Sequence, residues 1–286
     1  MNARKQDPLV SAEWLKQKAG APDLRIVDAT WFLPIEPYDA RDEFNRAHIP
    51  DAFFFDIDEI ADTDNPLPHM LPSPEKFASR MRKAGIGDGA TIIVYDARGL
   101  FSAARVWWTF RVMGVEEVYV LDGGLPAWIA AGGEVEDGPP PRRQERHFTA
   151  RYNAALVRNF DDMVKLVENG GAQIFDARPR GRFIGSEPEP RQGLRSGRMP
   201  GAVNLPPAML FEKDGRMKSR AALAGLFSDL GVVPGKPIVC TCGSGVSAAT
   251  LALAFARIGK WDVPVYDGSW TEWGAKPDVP VVSGPI

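Results

Sequence analysis

Pro237-Ile-Val-Cys-Thr-Cys242-Gly-Ser-Gly-Val-Ser-Ala248-Ala-Thr-Leu-Ala-Leu-Ala-Phe-Ala-Arg-Ile-Gly259 is the stretch from which the fold is read. Residues 238–241 are a short apolar, β-branched run bounded by a proline and a glycine-containing segment, the pattern of a buried parallel strand. Residues 247–258 are rich in Ala and Leu and stop at Gly259, as a helix does when a left-handed residue follows its end. Cys242 therefore falls on the turn between a strand end and a helix start. Gly243 and Gly245 let such a turn curl so that successive N–H groups point inward, and the helix adds the positive end of its dipole. An anionic sulfur, a persulfide or an oxyanion is stabilised in that cradle. Cys240, two residues earlier and inside the strand, reads as a core residue.

Outward from this stretch the chain repeats itself. Ile26-Val-Asp-Ala29 matches Ile174-Phe-Asp-Ala177, and His48-Ile-Pro-Asp-Ala52 matches Arg198-Met-Pro-Gly-Ala202. Ile92-Ile-Val-Tyr-Asp96 matches Ile238-Val-Cys-Thr-Cys242; Val118-Tyr-Val-Leu-Asp-Gly123 with Trp128 matches Val263-Pro-Val-Tyr-Asp-Gly268 with Trp273. The order is kept, which implies two copies of one domain. Each copy alternates short strands with helical patterns, for example 74–84 before strand 91–95 and 102–113 before strand 118–121. That alternation predicts an α/β fold with a short parallel sheet covered by helices on both faces. Residues 134–155 contain a polar, proline-rich run, so the expected boundaries are 1–137, a linker at 138–155, and 156–286. Asp96 stands where the second copy has Cys242, on a turn expected to be one residue longer, and an aspartate is no sulfur nucleophile. The first copy is thus expected to be non-catalytic and the second catalytic.

Composition bounds the rest. With 286 residues, 44% hydrophobic and 25% charged, the chain is long enough for two soluble domains. A net charge of -3 offers no electrostatic case for nucleic acid or for an anionic membrane surface. The opening Met-Asn-Ala-Arg-Lys-Gln-Asp-Pro lacks the apolar core of a secretory signal, and no run is apolar enough to span a bilayer. Two cysteines flanking a single strand residue are unsuited to bridging each other, which points to a reducing, cytoplasmic setting. Scattered histidines at 48, 69 and 147, with no CxxC pair, give no support to a zinc site.

The duplication, the loop Cys242-Gly-Ser-Gly-Val-Ser-Ala248, the segments Gly181-Arg-Phe-Ile-Gly-Ser-Glu-Pro-Glu-Pro-Arg191 and Gly197-Arg-Met-Pro-Gly-Ala-Val-Asn-Leu-Pro206, and the closing Tyr266-Asp-Gly-Ser-Trp-Thr-Glu-Trp273 resemble the two-domain rhodanese sulfurtransferases. The fold this implies is a pair of tandem rhodanese-like domains. The loop resembles the Cys-Gly-Ser-Gly-Val-Thr pattern of the 3-mercaptopyruvate branch, with Ser247 keeping the hydroxyl, rather than the Cys-Arg-Lys-Gly-Val-Thr pattern of the thiosulfate branch. Thiosulfate is a compact dianion that gains from cations beside the sulfur, and Gly243 and Ser244 supply none.

The resemblance implies sulfur transfer through a Cys242 persulfide, with a substrate carboxylate held by Arg182 and Arg191, whose planar forks suit a carboxylate. It further implies that the loop residues Gly243, Gly245, Val246 and Ser247 contact substrate, and that Asp58, His69 and Ser244 form a proton relay. Arg178, Arg180, Arg195 and Arg198 lie near enough in sequence to share the arginine role. A thiol acceptor such as thioredoxin, or cyanide in an assay, is the implied sulfur recipient, with no metal or organic cofactor. Three alternatives stand beside this reading: a thiosulfate:cyanide sulfurtransferase, a persulfide carrier that does not turn over mercaptopyruvate, and a cysteine phosphatase. The last needs an arginine closing the loop, where Ser247, Ala248, Ala249 and Thr250 stand.

Overall fold

The computed structural model describes residues 7–140 and 143–285. Residues 1–6, where a secretory signal was not expected, and positions 141 and 142 of the expected linker lie outside the described residues, as does the last residue, 286. Two compact units result: Met1–Thr63 with Leu71–Asn153 and Glu212–Met217, and Asp64–Met70 with Ala154–Phe211 and Lys218–Ile286.

Unit 1 runs β1 (Leu9–Val10), α1 (Ala12–Lys18), β2 (Leu24–Asp28), α2 (Ala40–Arg46), β3 (Phe53–Phe54), α3 (Ile57–Ile60), α4 (Pro74–Lys83), β4 (Thr91–Tyr95), α5 (Ala103–Val112), β5 (Val118–Leu121) and α6 (Gly124–Ala130). Unit 2 runs β6 (Val157–Arg158), α7 (Phe160–Asn169), β7 (Gln173–Asp176), α8 (Arg180–Ile184), β8 (Val203–Asn204), α9 (Arg220–Asp229), β9 (Ile238–Thr241), α10 (Val246–Arg257), β10 (Val265–Tyr266) and α11 (Ser269–Trp273), with 3-10 turns at Ala154–Leu156 and Pro207–Leu210.

Each unit holds a five-stranded sheet, ordered β1-β5-β4-β2-β3 in one and β6-β10-β9-β7-β8 in the other. All pairings are parallel, with Leu24 to Asp28 registered on Thr91 to Tyr95 and Gln173 to Asp176 on Ile238 to Thr241. The two orders coincide when each strand is matched to its copy, so the internal repeat is a repeat of topology. Its details repeat too. His48 donates its N–H to the Glu136 carbonyl at 2.9 Å, and Arg198 donates likewise to Val282 at 2.9 Å. Asp51 and Gly201, aligned in the repeat, both take positive φ, 65° and 73°.

The central strands are buried along their whole length, as in sheets with helices on both sides: every residue of β2 and of β9 is buried. Helix ends follow local chemistry. Ser73 accepts the Lys76 N–H ahead of Pro74 at the start of α4, and Asn159 and Asp162 close a reciprocal capping box on α7. The segment after position 143 is laid along unit 1, with Arg151 and Asn153 donating N–H groups to Met113 and Val112 and with Phe148 buried.

Candidate active site

Strand β9 delivers Cys242 to the end of the unit 2 sheet, and α10 begins four residues later at Val246. Gly245 takes φ 82°, a left-handed backbone that glycine adopts at no steric cost, and its N–H donates to Cys242 Sγ at 3.1 Å. Gly243 is a glycine for another reason. Its φ is ordinary, but a Cβ added there would sit 3.1 Å from Arg182 Nη2, so the missing side chain lets a guanidinium lie against the loop. The hydroxyls of Ser244 and Ser247 are half-exposed and bonded to no described residue, which leaves them available to a ligand.

The turn is fixed from beneath by α11. Cys242 N–H donates to Ser269 Oγ at 3.2 Å, and the Ser269 hydroxyl donates to the Tyr266 carbonyl at 2.8 Å. Trp270 N–H donates to the Cys242 carbonyl at 3.0 Å, while the Thr271 N–H and hydroxyl both donate to the Gly243 carbonyl. Ser269 is fully buried at φ 48°, a conformation that costs a non-glycine residue energy and is kept where surrounding bonds over-determine it. Cys242 is itself 2% exposed, so only a small, directed reactant reaches the sulfur. Cys240 is completely enclosed between β7 and β10, and burial pushes its thiol well up from the ordinary range.

Arg182 projects from α8 into a buried ion network. Its Nε donates to Glu189 Oε2 at 3.0 Å and its Nη2 donates to the same oxygen. The other Glu189 oxygen accepts from Arg178 Nη1 at 2.7 Å. Arg178 in turn forks onto Asp176 and donates to the Gly197 carbonyl, with its guanidinium 3.9 Å from the centre of the Trp270 ring. Burial disfavours charge on Arg178, yet the attraction of Asp176 and Glu189 leaves its pKa raised. Two guanidinium and two carboxylate groups thus balance, and the Arg182 Nη1 group is bound to no described residue.

Two further arginines of the region bond to backbone carbonyls. Arg195 donates to the carbonyls of Val279, Trp273 and Lys276, Arg198 to that of Gly284, and Arg180 is exposed. Arg191 is half-buried two residues past Glu189. Trp270 and Trp273 are fully buried on α11 and donate their indole N–H groups to backbone carbonyls.

Of the expected relay, His69 falls in unit 2 and Asp58 in unit 1. His69 is buried with φ 61°, and Asp58 Oδ2 accepts the Trp31 indole N–H at 2.8 Å. Glu189 and Ser269 were not among the expected site residues. A carboxylate between two arginines in the Pro-Glu-Pro-Arg run and a serine in the Gly-Ser-Trp run were the available signals.

Unit 1 shows what this loop does with an anion. Asp96 Oδ2 accepts the N–H groups of Phe101, Ser102 and Ala103 at 2.8 to 2.9 Å, and Oδ1 accepts that of Arg98 at 2.9 Å. The carboxylate draws the chain around itself, so its turn spans 97–102 against 243–245 in unit 2, three residues longer rather than the expected one.

A cysteine set above a helix N-terminus on a duplicated parallel-sheet scaffold defines a class of thiol-dependent transfer proteins. The chain belongs to the rhodanese-like domain family, whose pattern matches residues 11–131 and 159–276. It is 42% identical to the 3-mercaptopyruvate sulfurtransferase of Homo sapiens, over 93% of this chain and 91% of that protein. It is 41% identical to the thiosulfate sulfurtransferase of Gallus gallus, over 93% and 92%. Its fold is similar to that of SseA from Escherichia coli, whose structure is titled for the "rhodanese" fold and mechanism of 3-mercaptopyruvate sulfotransferases, with a TM-score of 0.85, 40% identity and coverage of 93% and 99%.

Proposed function

We propose that this chain is a 3-mercaptopyruvate sulfurtransferase that works through a persulfide on Cys242. The observation that carries the reading is the pairing of an amide-held sulfur with the Arg182 guanidinium lying against Gly243. The substrate carboxylate sits on Arg182 and Arg191, which aims its thiol at Sγ. Cys242 thiolate attacks that sulfur. The carbon–sulfur bond breaks, its electron pair passes into the pyruvate enolate, and a proton completes pyruvate. Ser244, His69 and Asp58 are the groups proposed to supply that proton. The persulfide is stabilised by the backbone N–H groups of 243–248, a role supported by the anion that the equivalent loop of unit 1 already holds.

An acceptor thiolate, thioredoxin or a small thiol, then takes the outer sulfur and Cys242 thiolate leaves. Neither half-reaction calls for a redox cofactor, since sulfur passes as the neutral atom from the enolate carbon to the Cys242 thiolate and from there to the acceptor thiolate. No described helix is long and apolar enough to cross a membrane, and a reducing compartment such as the cytoplasm keeps Cys242 a free thiol.

Thiosulfate is a second donor to weigh, because a relative 41% identical, against 42% for the human 3-mercaptopyruvate sulfurtransferase, is named for it. The loop places no cation of its own beside Cys242, and the guanidinium that lies against it at Gly243 is that of Arg182, already paired with Glu189. Steady-state turnover with each donor, using cyanide as acceptor, separates the two. A kcat/KM for mercaptopyruvate at least tenfold above that for thiosulfate, lost in Cys242→Ser, is expected; the reverse order transfers the assignment to thiosulfate.

A further inference from the structure

Unit 1 contains a cavity of about 640 Å³ at the end of its sheet where β2 and β3 begin, opposite the end at which β4 delivers Asp96. Ligands of parallel α/β sheets gather at the carboxyl ends of the strands. The cavity is therefore no remnant of a loop site like that of unit 2.

Its lining is cationic. Arg25, Lys16, Arg143 and Arg146 face Asp51 and Glu134, which leaves an excess of two positive charges. Arg25 is 7% exposed and pinned: Nε donates to the Gly85 carbonyl at 3.1 Å, and Nη1 donates to those of Pro22 and Leu24. Its Nη2 group is bound to no described residue. Arg143 reaches Asp51, while Arg146, anchored by its backbone N–H to the Arg82 carbonyl, is exposed and joined in no ion pair with a described residue. Burial first, and then the charges of Arg143 and Arg146, lower the Arg25 pKa. Guanidinium groups that repel one another in a cleft are stabilised by an anion between them. Ala21, Pro22 and Pro50 supply apolar wall, and the volume suits a small organic molecule rather than a bare ion.

We propose that this cleft binds an organic phosphate, its dianionic head on Arg25, Arg143 and Arg146 and its uncharged body against Ala21, Pro22 and Pro50. Two net charges match a phosphate monoester better than a lone carboxylate, and forked guanidinium donors fit its oxygens. The cleft lies wholly within unit 1, so its occupancy is separable from sulfur transfer.

The probes are phenyl phosphate, inorganic phosphate and benzoate, titrated into the full chain at low salt by calorimetry and by amide shift mapping. Phenyl phosphate is expected to bind at least tenfold more tightly than either of the others, with shifts at Gly20, Asp51 and Gly132. Arg146→Glu, a surface change, is expected to weaken it at least tenfold while Arg182→Ala leaves it unchanged. Failure of phenyl phosphate to bind, binding unaltered by Arg146→Glu, or shifts that map to 182 and 243–248 and vanish in Arg182→Ala would each overturn the proposal.

Discussion

Replacing Glu189 with glutamine changes one atom and removes one charge. Its side chain is 1% exposed and each oxygen serves a different arginine, so the neutral amide leaves Arg178 with Asp176 as its carboxylate and Arg182 with no carboxylate at Glu189. Uncompensating a buried ion pair costs about 3–5 kcal/mol. Glutamine keeps one carbonyl acceptor, worth roughly 1 kcal/mol, and Arg182 is one-fifth exposed and partly screened, so a loss of about 2–3 kcal/mol is expected. For a chain of this size that lowers Tm by roughly 5–10 °C.

The effect on substrate binding has two opposing parts. Arg182 gains free charge, which favours a carboxylate, and loses the charged partner that holds its guanidinium against Gly243. Orientation prevails, because a charge-assisted bidentate bond is worth about 1.5–3 kcal/mol only when both donors are aimed. KM for mercaptopyruvate should rise roughly tenfold with kcat changed less than about threefold, read from initial rates of pyruvate release at a temperature where the variant is folded. Unchanged Tm and unchanged KM would refute the reasoning.

Other consequences are direct. Ser269→Ala removes the acceptor of the Cys242 N–H, and alanine at φ 48° has no compensating bond; urea midpoints should show about 1–3 kcal/mol lost and kcat should fall about tenfold. Gly243→Ala puts a methyl 3.1 Å from Arg182 Nη2, so KM should rise several-fold with stability nearly unchanged, since Arg182 yields at its flexible end. Burial pushes the Asp28 carboxyl up to about 6 from 3.8. Between those two values the folded chain holds a proton that the unfolded chain has lost, so stability falls as pH rises through that window and is level above it. The span is about 3 kcal/mol, and chemical denaturation of Asp28→Asn from pH 4 to 8 should lack that part of the slope.

Much of the scaffold was readable in the residues because its central strands are continuous β-branched runs with glycine or proline at their ends. Thr91–Tyr95 and Val118–Leu121 fall on the expected positions, and α10 starts one residue early at Val246 because Gly245 rather than Val246 absorbs the turn. Strands β3, β8 and β10 have two residues each, too few for any period to register. Proximity across the fold was harder to read. Several arginines crowd 178–198, and only packing decides that Arg178 is spent on Asp176 while Arg182 keeps a free edge. The role of Ser269 depends on a turn 27 residues away in sequence. The reason for Gly243 was misjudged because a glycine required by a neighbour's side chain looks, in sequence, like one required by its own φ.

The measurement that bears most directly on the central claim is the intact mass of the chain after brief exposure to 3-mercaptopyruvate without acceptor, alongside the pyruvate released and a peptide map. One added sulfur per chain on Cys242, with one equivalent of pyruvate and neither in Cys242→Ser, is the predicted result. An unchanged mass with no pyruvate, or sulfur found on Cys240, would contradict it.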